Sequence, residues 1–171
     1  MQLTTPRLAI TTFSLDMAQS VYENSQDTDT RRFVPDEVYD SVEEAREAIE
    51  FLMSRYDSAD GPFVYPIITN DSGQNIGYVQ LCKLEDGCWE IGYHIAKDFT
   101  GKGYASEAVK AFLPAMAQKL NIKEVYGICL VENTASVRVL EKCGFIQIYT
   151  GTGNYQGKET QIFKAIWKNY N

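Results

Sequence analysis

A single α/β domain, built on a mixed and mostly antiparallel central sheet flanked by helices, is the fold this sequence predicts. Three observations carry that expectation. Runs at 63–69, 76–83 and 88–95 read as strands joined by short glycine-containing turns, Asn70-Asp-Ser-Gly73 and Glu85-Asp-Gly87, which is the pattern of an antiparallel meander. From Tyr104 onward the apolar period lengthens to helical spacing, and helix and strand patterns alternate toward the end of the chain. No repeat or linker divides the 171 residues, so one domain over 1–171 is expected.

Taken in order, Arg7 to Thr12 alternates Leu8 and Ile10 with Ala9 and Thr11 and reads as a first strand. Ser14 opens a helical stretch to about Glu23, and residues 26–40 carry turn chemistry. Ser41-Val-Glu-Glu44 fits a capping box, with Ala45, Ala48, Ile49, Leu52, Met53 and Tyr56 behind it at helical spacing. Ser58 to Pro62 ends that helix, and the meander follows. Tyr104 to Leu120 carries Ala105, Ala108, Val109, Phe112, Met116 and Leu120 on one stripe, with Pro114 expected to kink the helix. Glu124 to Leu130 is a strand, and Asn133 to Cys143 a helix closed by Gly144. Phe145 to Thr150 and Thr160 to Trp167 read as two last strands.

Composition narrows the function classes. The chain is 44% hydrophobic and 23% charged, ordinary for a globular domain that needs no metal or disulfide to hold a core. No apolar run approaches the roughly 20 residues of a membrane span, and the N-terminus lacks a basic region followed by an apolar one, so a cytoplasmic location is expected. A net charge of −7 is the reverse of a nucleic-acid footprint and suits cationic ligands such as amines or polyamines. The densest charge lies at residues 36–50, where Asp36, Glu37, Asp40, Glu43, Glu44, Glu47 and Glu50 face Arg46 alone. Cys82, Cys88, Cys129 and Cys143 form no C-x-x-C pair and have one histidine to accompany them, so no metal site is expected and the thiols read as reduced.

The stretch richest in chemistry is Tyr93-His-Ile-Ala-Lys-Asp-Phe-Thr-Gly-Lys-Gly-Tyr-Ala-Ser-Glu-Ala108, in which a strand ends, a glycine loop follows and a helix begins. Glycines let backbone N–H groups approach a ligand, and a helix N-terminus adds partial positive charge, so the loop suits phosphate or pyrophosphate. It is not a P-loop, because Ala96 stands at the first glycine position and Gly103 follows Lys102. Nor is it a dinucleotide fingerprint, because Ser106 stands where the third glycine is required.

Thr100-Gly-Lys-Gly103-Tyr-Ala105 resembles the coenzyme A pyrophosphate loop of the GCN5-related N-acetyltransferases, whose pattern is Q/R-x-x-G-x-G/A. Asn133-Thr-Ala-Ser136-Val-Arg-Val-Leu-Glu-Lys142-Cys-Gly144-Phe145 is similar to the N-x-x-S-x-x-x-x-x-K-x-G-F segment of the RimJ/RimL-like branch, which contains the acetyltransferases of ribosomal-protein N-termini. Thr5-Pro-Arg-Leu8 echoes that branch's Thr-x-Arg-Leu first strand. The resemblance runs from about residue 4 to 167 and implies a sheet splayed where acetyl-CoA enters. It implies coenzyme contacts from Tyr93, Ile95, Thr100, Gly101, Lys102, Gly103, Tyr104, Ala105, Ser106, Asn133 and Ser136, and an amine acceptor. Members often pair as homodimers. Two departures matter: Thr100 replaces the long Q/R side chain, and Leu140 stands where many members carry a tyrosine general acid.

An amine must lose a proton, attack a thioester and release a thiolate. Glu90, on the strand leading into the loop, is the candidate base, and main-chain amides from Tyr93 to Ile95 are candidates to hold the thioester oxygen. Ser136 is the candidate acid in place of the missing tyrosine. Asn133 reads as both an N-cap and a coenzyme contact, and His94 alternates away from Tyr93 and Ile95 and reads as structural. Cys129 lacks a base partner, which favours direct transfer in a ternary complex over an acyl-cysteine. The rival expectation is a silent acyl-CoA-binding module. Acceptor choice is expected in segments 26–60 and 150–160, with the acidic helix flanking the acceptor entrance.

Overall fold

The computed structural model describes residues 2–169. Eight strands form one sheet in the order β1-β2-β3-β4-β5-β6-β8-β7, where β1 is Leu3–Thr4, β2 Leu8–Ile10, β3 Phe63–Thr69, β4 Asn75–Lys83, β5 Trp89–Ile95, β6 Glu124–Leu130, β7 Ile146–Tyr155 and β8 Lys158–Lys168. Every neighbouring pair is antiparallel except β5 and β6, which run parallel. The meander expected from the glycine turns is therefore β3-β4-β5.

Strand β3 is buried along almost its whole length because both of its faces are covered. On one side lies α4 (Tyr104–Leu120), whose Val109, Phe112, Leu113 and Met116 pack against Leu8, Ile10, Phe63, Tyr65, Ile67, Val79 and Leu81. Removing a ring such as that of Phe112 from this layer would cost about 3–5 kcal/mol, by transfer and cavity terms together. On the other side α1 (Ala18–Asn24) and α3 (Val42–Ser54) bring Ala18 and Ile49 onto Phe13 and Val64. Helix α5 (Thr134–Lys142) lies against β6, and the contact is close. A Cβ on Gly127 would sit 2.4 Å from the Leu140 side chain, so only glycine lets Leu140 seat there.

Helix starts follow the sequence signals. The Ser41 hydroxyl accepts from the Glu44 N–H at 3.1 Å, while the Glu44 carboxylate reaches back to the Asp40 N–H. Gly144, just past α5, has φ +83°, the left-handed closure that glycine adopts without penalty. Several elements depart from expectation: Leu3–Thr4 add an edge strand, and residues 150–160, expected as a loop, continue the β7–β8 ladder, with β7 ending at Tyr155 and β8 starting at Lys158. Residues 26–40 are not turn throughout: Thr28–Phe33 form a helix, α2, because the Asp27 carboxylate accepts from the N–H groups of Asp29 and Thr30. Among the described residues no helix is long and apolar enough to cross a membrane.

Candidate active site

The sheet opens between β5 and β6. These two strands are registered at one pair, Glu90 with Tyr126, near their N-terminal ends. Beyond that pair they diverge, leaving the facing edge of β5 without a ladder partner. The Ala96 N–H donates to the Ile76 carbonyl at 2.8 Å, which fixes the alternation along β5. The N–H groups of Tyr93 and Ile95 therefore point toward the opening.

Below the opening, the glycine loop leads into α4. Gly101 and Gly103 have φ of +75° and +83°, and open space surrounds the position a Cβ would take on Gly101. No backbone N–H from Gly101 to Ser106 donates to a described residue; the first to do so is that of Glu107, to the Gly103 carbonyl at 3.1 Å. This run of uncommitted donors at the start of a 17-residue helix is a cradle for an anion. Thr100 and Lys102 help shape it by bonding back to the Lys97 and Asp98 carbonyls. Tyr104 stacks under Arg7, Ala105 lies in the first turn of α4, and the Ser106 carbonyl accepts from the Cys143 thiol.

The Thr-Pro-Arg-Leu signature has a mechanical role at this loop. Arg7 donates from Nη1 to the Lys102 carbonyl at 2.9 Å and from Nε to Glu107 Oε2 at 2.6 Å, while its guanidinium lies 4.5 Å from the Tyr104 ring centre. The Thr5 hydroxyl donates to the other Glu107 oxygen. These contacts pull the Glu107 carboxyl below its usual range, although partial burial opposes them. Residues 100 positions away in sequence thus clamp the glycine loop.

A cavity of about 400 Å³ lies at the opening, and Glu90, Tyr93, Asn133 and Ser136 all line it. Burial pushes the Glu90 carboxyl up to about 7, with the Lys164 charge opposing the shift. Its proton affinity thus falls in the range a general base needs near neutral pH. Ser136 sits on the first turn of α5, where its N–H is capped by Asn133 Oδ1 at 3.1 Å. Its hydroxyl is 2.9 Å from the Tyr93 hydroxyl, which also donates to the Ser136 carbonyl at 3.0 Å. Burial raises the Tyr93 pKa, so this pair stays protonated. Tyr93 was expected to contribute its main chain; its side chain facing Ser136 could not be paired from sequence, because the partners lie 43 residues apart.

The acidic run departs from its sequence reading, whereas His94 and Cys129 keep theirs. The acidic run divides: Asp36 and Glu37, on a short 3-10 turn, line the cavity, whereas Glu43, Glu47 and Glu50 on α3 do not. Glu37 is therefore a site residue that the run of acids concealed, and burial followed by the neighbouring Asp36 charge pushes its carboxyl up to about 7. His94 is structural as expected, stacked on Tyr78 with Nε2 2.7 Å from the Thr30 hydroxyl. Cys129 lines the cavity, but burial raises its thiol to about 11, away from the thiolate an acyl-enzyme would need. Leu140, at the position of the absent tyrosine, is buried in the core.

Comparison with known proteins agrees with this geometry. The family model of the GNAT acetyltransferase domain matches residues 7–146. The N-acetyltransferase YnaD of Bacillus subtilis is 31% identical over 84% of this chain and 82% of its own length. A spermidine N(1)-acetyltransferase of Vibrio cholerae is 30% identical over 66% of this chain and 63% of its own. The ribosomal-protein-S5-alanine acetyltransferase of Vibrio fischeri superposes with a TM-score of 0.84 at 14% identity, covering all of this chain and 98% of that one. With its splayed eight-stranded sheet and its match over most of its length, this chain belongs to the GNAT family of acetyltransferases.

Proposed function

We propose that the protein transfers the acetyl group of acetyl-CoA directly to a primary amine in a ternary complex, with Glu90 as base and the Ser136–Tyr93 pair as proton source. One observation carries the reading. A single cavity at the β5–β6 opening joins a carboxyl poised near neutrality to a hydroxyl pair kept protonated. The residues also fit the coenzyme. The uncommitted N–H groups from Gly101 to Ser106 suit its pyrophosphate, and the β5-edge amides of Tyr93 and Ile95 suit the thioester carbonyl. Asn133 and Ser136, at the start of α5, line the same cavity.

The chemistry balances on these groups. Glu90, directly or through water, takes a proton from the ammonium, and the nitrogen lone pair attacks the thioester carbon. The oxyanion draws on the β5 amides, the carbon–sulfur bond breaks, and Ser136, backed by Tyr93, supplies a proton to the departing thiolate. The second proton of the attacking nitrogen, passed directly or through water, restores the Ser136 hydroxyl. Products are an N-acetyl amine and free coenzyme A. Cys129 takes no part.

The reading extends to a cationic acceptor, because Asp36, Glu37 and Glu90 line the cavity and no lysine or arginine is among its described lining residues. Both a polyamine and a protein N-terminus satisfy that charge. The RimJ/RimL-like motifs favour the N-terminus, and the spermidine acetyltransferase relative favours the polyamine. A screen of N-terminal peptides and amines with acetyl-CoA, read by mass spectrometry, tests the proposal. Acetylation of an amine whose kcat falls sharply in Glu90→Gln supports it. Coenzyme A binding with no turnover of any amine would instead make the chain a silent acyl-CoA-binding module.

A further inference from the structure

Two half-buried carboxyls line one cavity, and the reaction needs one base. Glu90 lies on β5 at the point where the sheet opens; Glu37 lies on the segment that roofs the cavity. That segment is strapped to the far half of the sheet by three contacts. Arg32 pairs with Glu132 at 2.8 Å, the Tyr155 hydroxyl donates to the Phe33 carbonyl at 3.1 Å, and Gln156 Nε2 donates to Asp36 Oδ1 at 2.6 Å. Asp36 is thereby committed to the strap. Glu37 is not: its carboxylate has the Gln80 amide at 3.5 Å and the Tyr78 hydroxyl beside it, and among the described residues no cationic side chain pairs with it. A carboxylate taken out of water without a counter-charge is costly, and a cationic ligand group removes that cost.

We infer that Glu37 is a specificity-determining residue that holds a second ammonium group of the acceptor, so that the preferred small acceptor is a diamine or polyamine rather than a monoamine. The inference rests on the acetyltransferase reading above and assigns the two carboxyls different work: Glu90 deprotonates the reacting nitrogen, and Glu37 anchors the one that does not react. Burial and the Asp36 charge raise the Glu37 pKa to about 7, and a bound ammonium would draw it back toward the ionised form.

The test compares putrescine and spermidine with n-butylamine, a matched chain lacking the second charge, in the wild type, Glu37→Gln and Glu90→Gln. Wild type is expected to show a lower KM for the diamines. Glu37→Gln should raise the KM for putrescine and spermidine by roughly ten- to a hundredfold, the range for losing a charge-assisted hydrogen bond, which is about tenfold or more beyond any rise for n-butylamine. Glu90→Gln should depress kcat for all three amines alike. An unchanged diamine KM in Glu37→Gln overturns the inference, as does an equal loss for n-butylamine, which would make Glu37 a structural part of the roof. If none of the amines is acetylated while coenzyme A still binds, the diamine assignment is overturned. The acetyltransferase reading then stands or falls separately on N-terminal peptides.

Discussion

Arg7→Ala tests whether the N-terminal clamp shapes the coenzyme loop. The substitution deletes one hydrogen bond to the Lys102 carbonyl, the ion pair with Glu107 and the guanidinium stacked on Tyr104. The Arg7 side chain is 46% exposed, so solvent screens the ion pair, and its share is about 0.5 kcal/mol. The hydrogen bond adds about 1 kcal/mol and the cation–π contact about 0.5 kcal/mol. The loss of about 2 kcal/mol falls on the loop, because Phe112, Leu113 and Met116 anchor α4 in the core independently. If the pyrophosphate requires the loop in its clamped shape, coenzyme A affinity should fall by up to roughly thirtyfold. The melting temperature should fall by no more than about 8 °C. Calorimetric titration of coenzyme A into wild type, Arg7→Ala and Arg7→Lys measures the effect, with the lysine variant recovering part of it. A folded Arg7→Ala protein that binds coenzyme A within twofold of wild type would show that the glycine torsions alone hold the loop.

Gly103→Val puts a branched side chain at φ +83° in the loop proposed to hold the pyrophosphate, and should weaken coenzyme A binding in the same titration while circular dichroism stays native. Ser136→Ala should lower kcat by roughly ten- to a hundredfold with little change in the acetyl-CoA KM, and Tyr93→Phe should do so less, because Ser136 keeps its own proton; steady-state kinetics separates the two. If Glu90 is the base, as proposed above, its working form is the ionised one, so kcat/KM for a fixed amine should be lost as pH falls through about 7. Because burial raises this pKa, the same ionisation destabilises the fold: the contribution of Glu90 to stability is full below the ordinary carboxylate range and lost as pH rises through about 7. Glu90→Gln should therefore abolish the acid limb of the rate profile and flatten the fall in melting temperature between pH 5 and 8.

The local elements were legible in the chain because they rest on local physics. The α3 cap at Ser41, the left-handed Gly144 after α5 and the β3-β4-β5 meander follow from neighbours a few residues apart. The loop at 100–106 was legible for the same reason, since glycine torsions and a helix start define its donors. Helix α2 was also written in the sequence, in the Asp27 cap, but its six residues are too short and polar for periodicity to reveal.

What only the tertiary structure decided is which distant residues meet. Arg7 and Glu107 pair across 100 positions, and Tyr93 finds Ser136 across 43. The acids at 36–50 were indistinguishable as letters. Their fates diverged because the strap to Glu132, Tyr155 and Gln156 turns Glu37 into the cavity, while helical periodicity turns Glu43, Glu47 and Glu50 away from it. Desolvation then raised Glu37 and Glu90 toward neutrality, and desolvation depends on what three-dimensional packing excludes from water, which no spacing along the chain encodes.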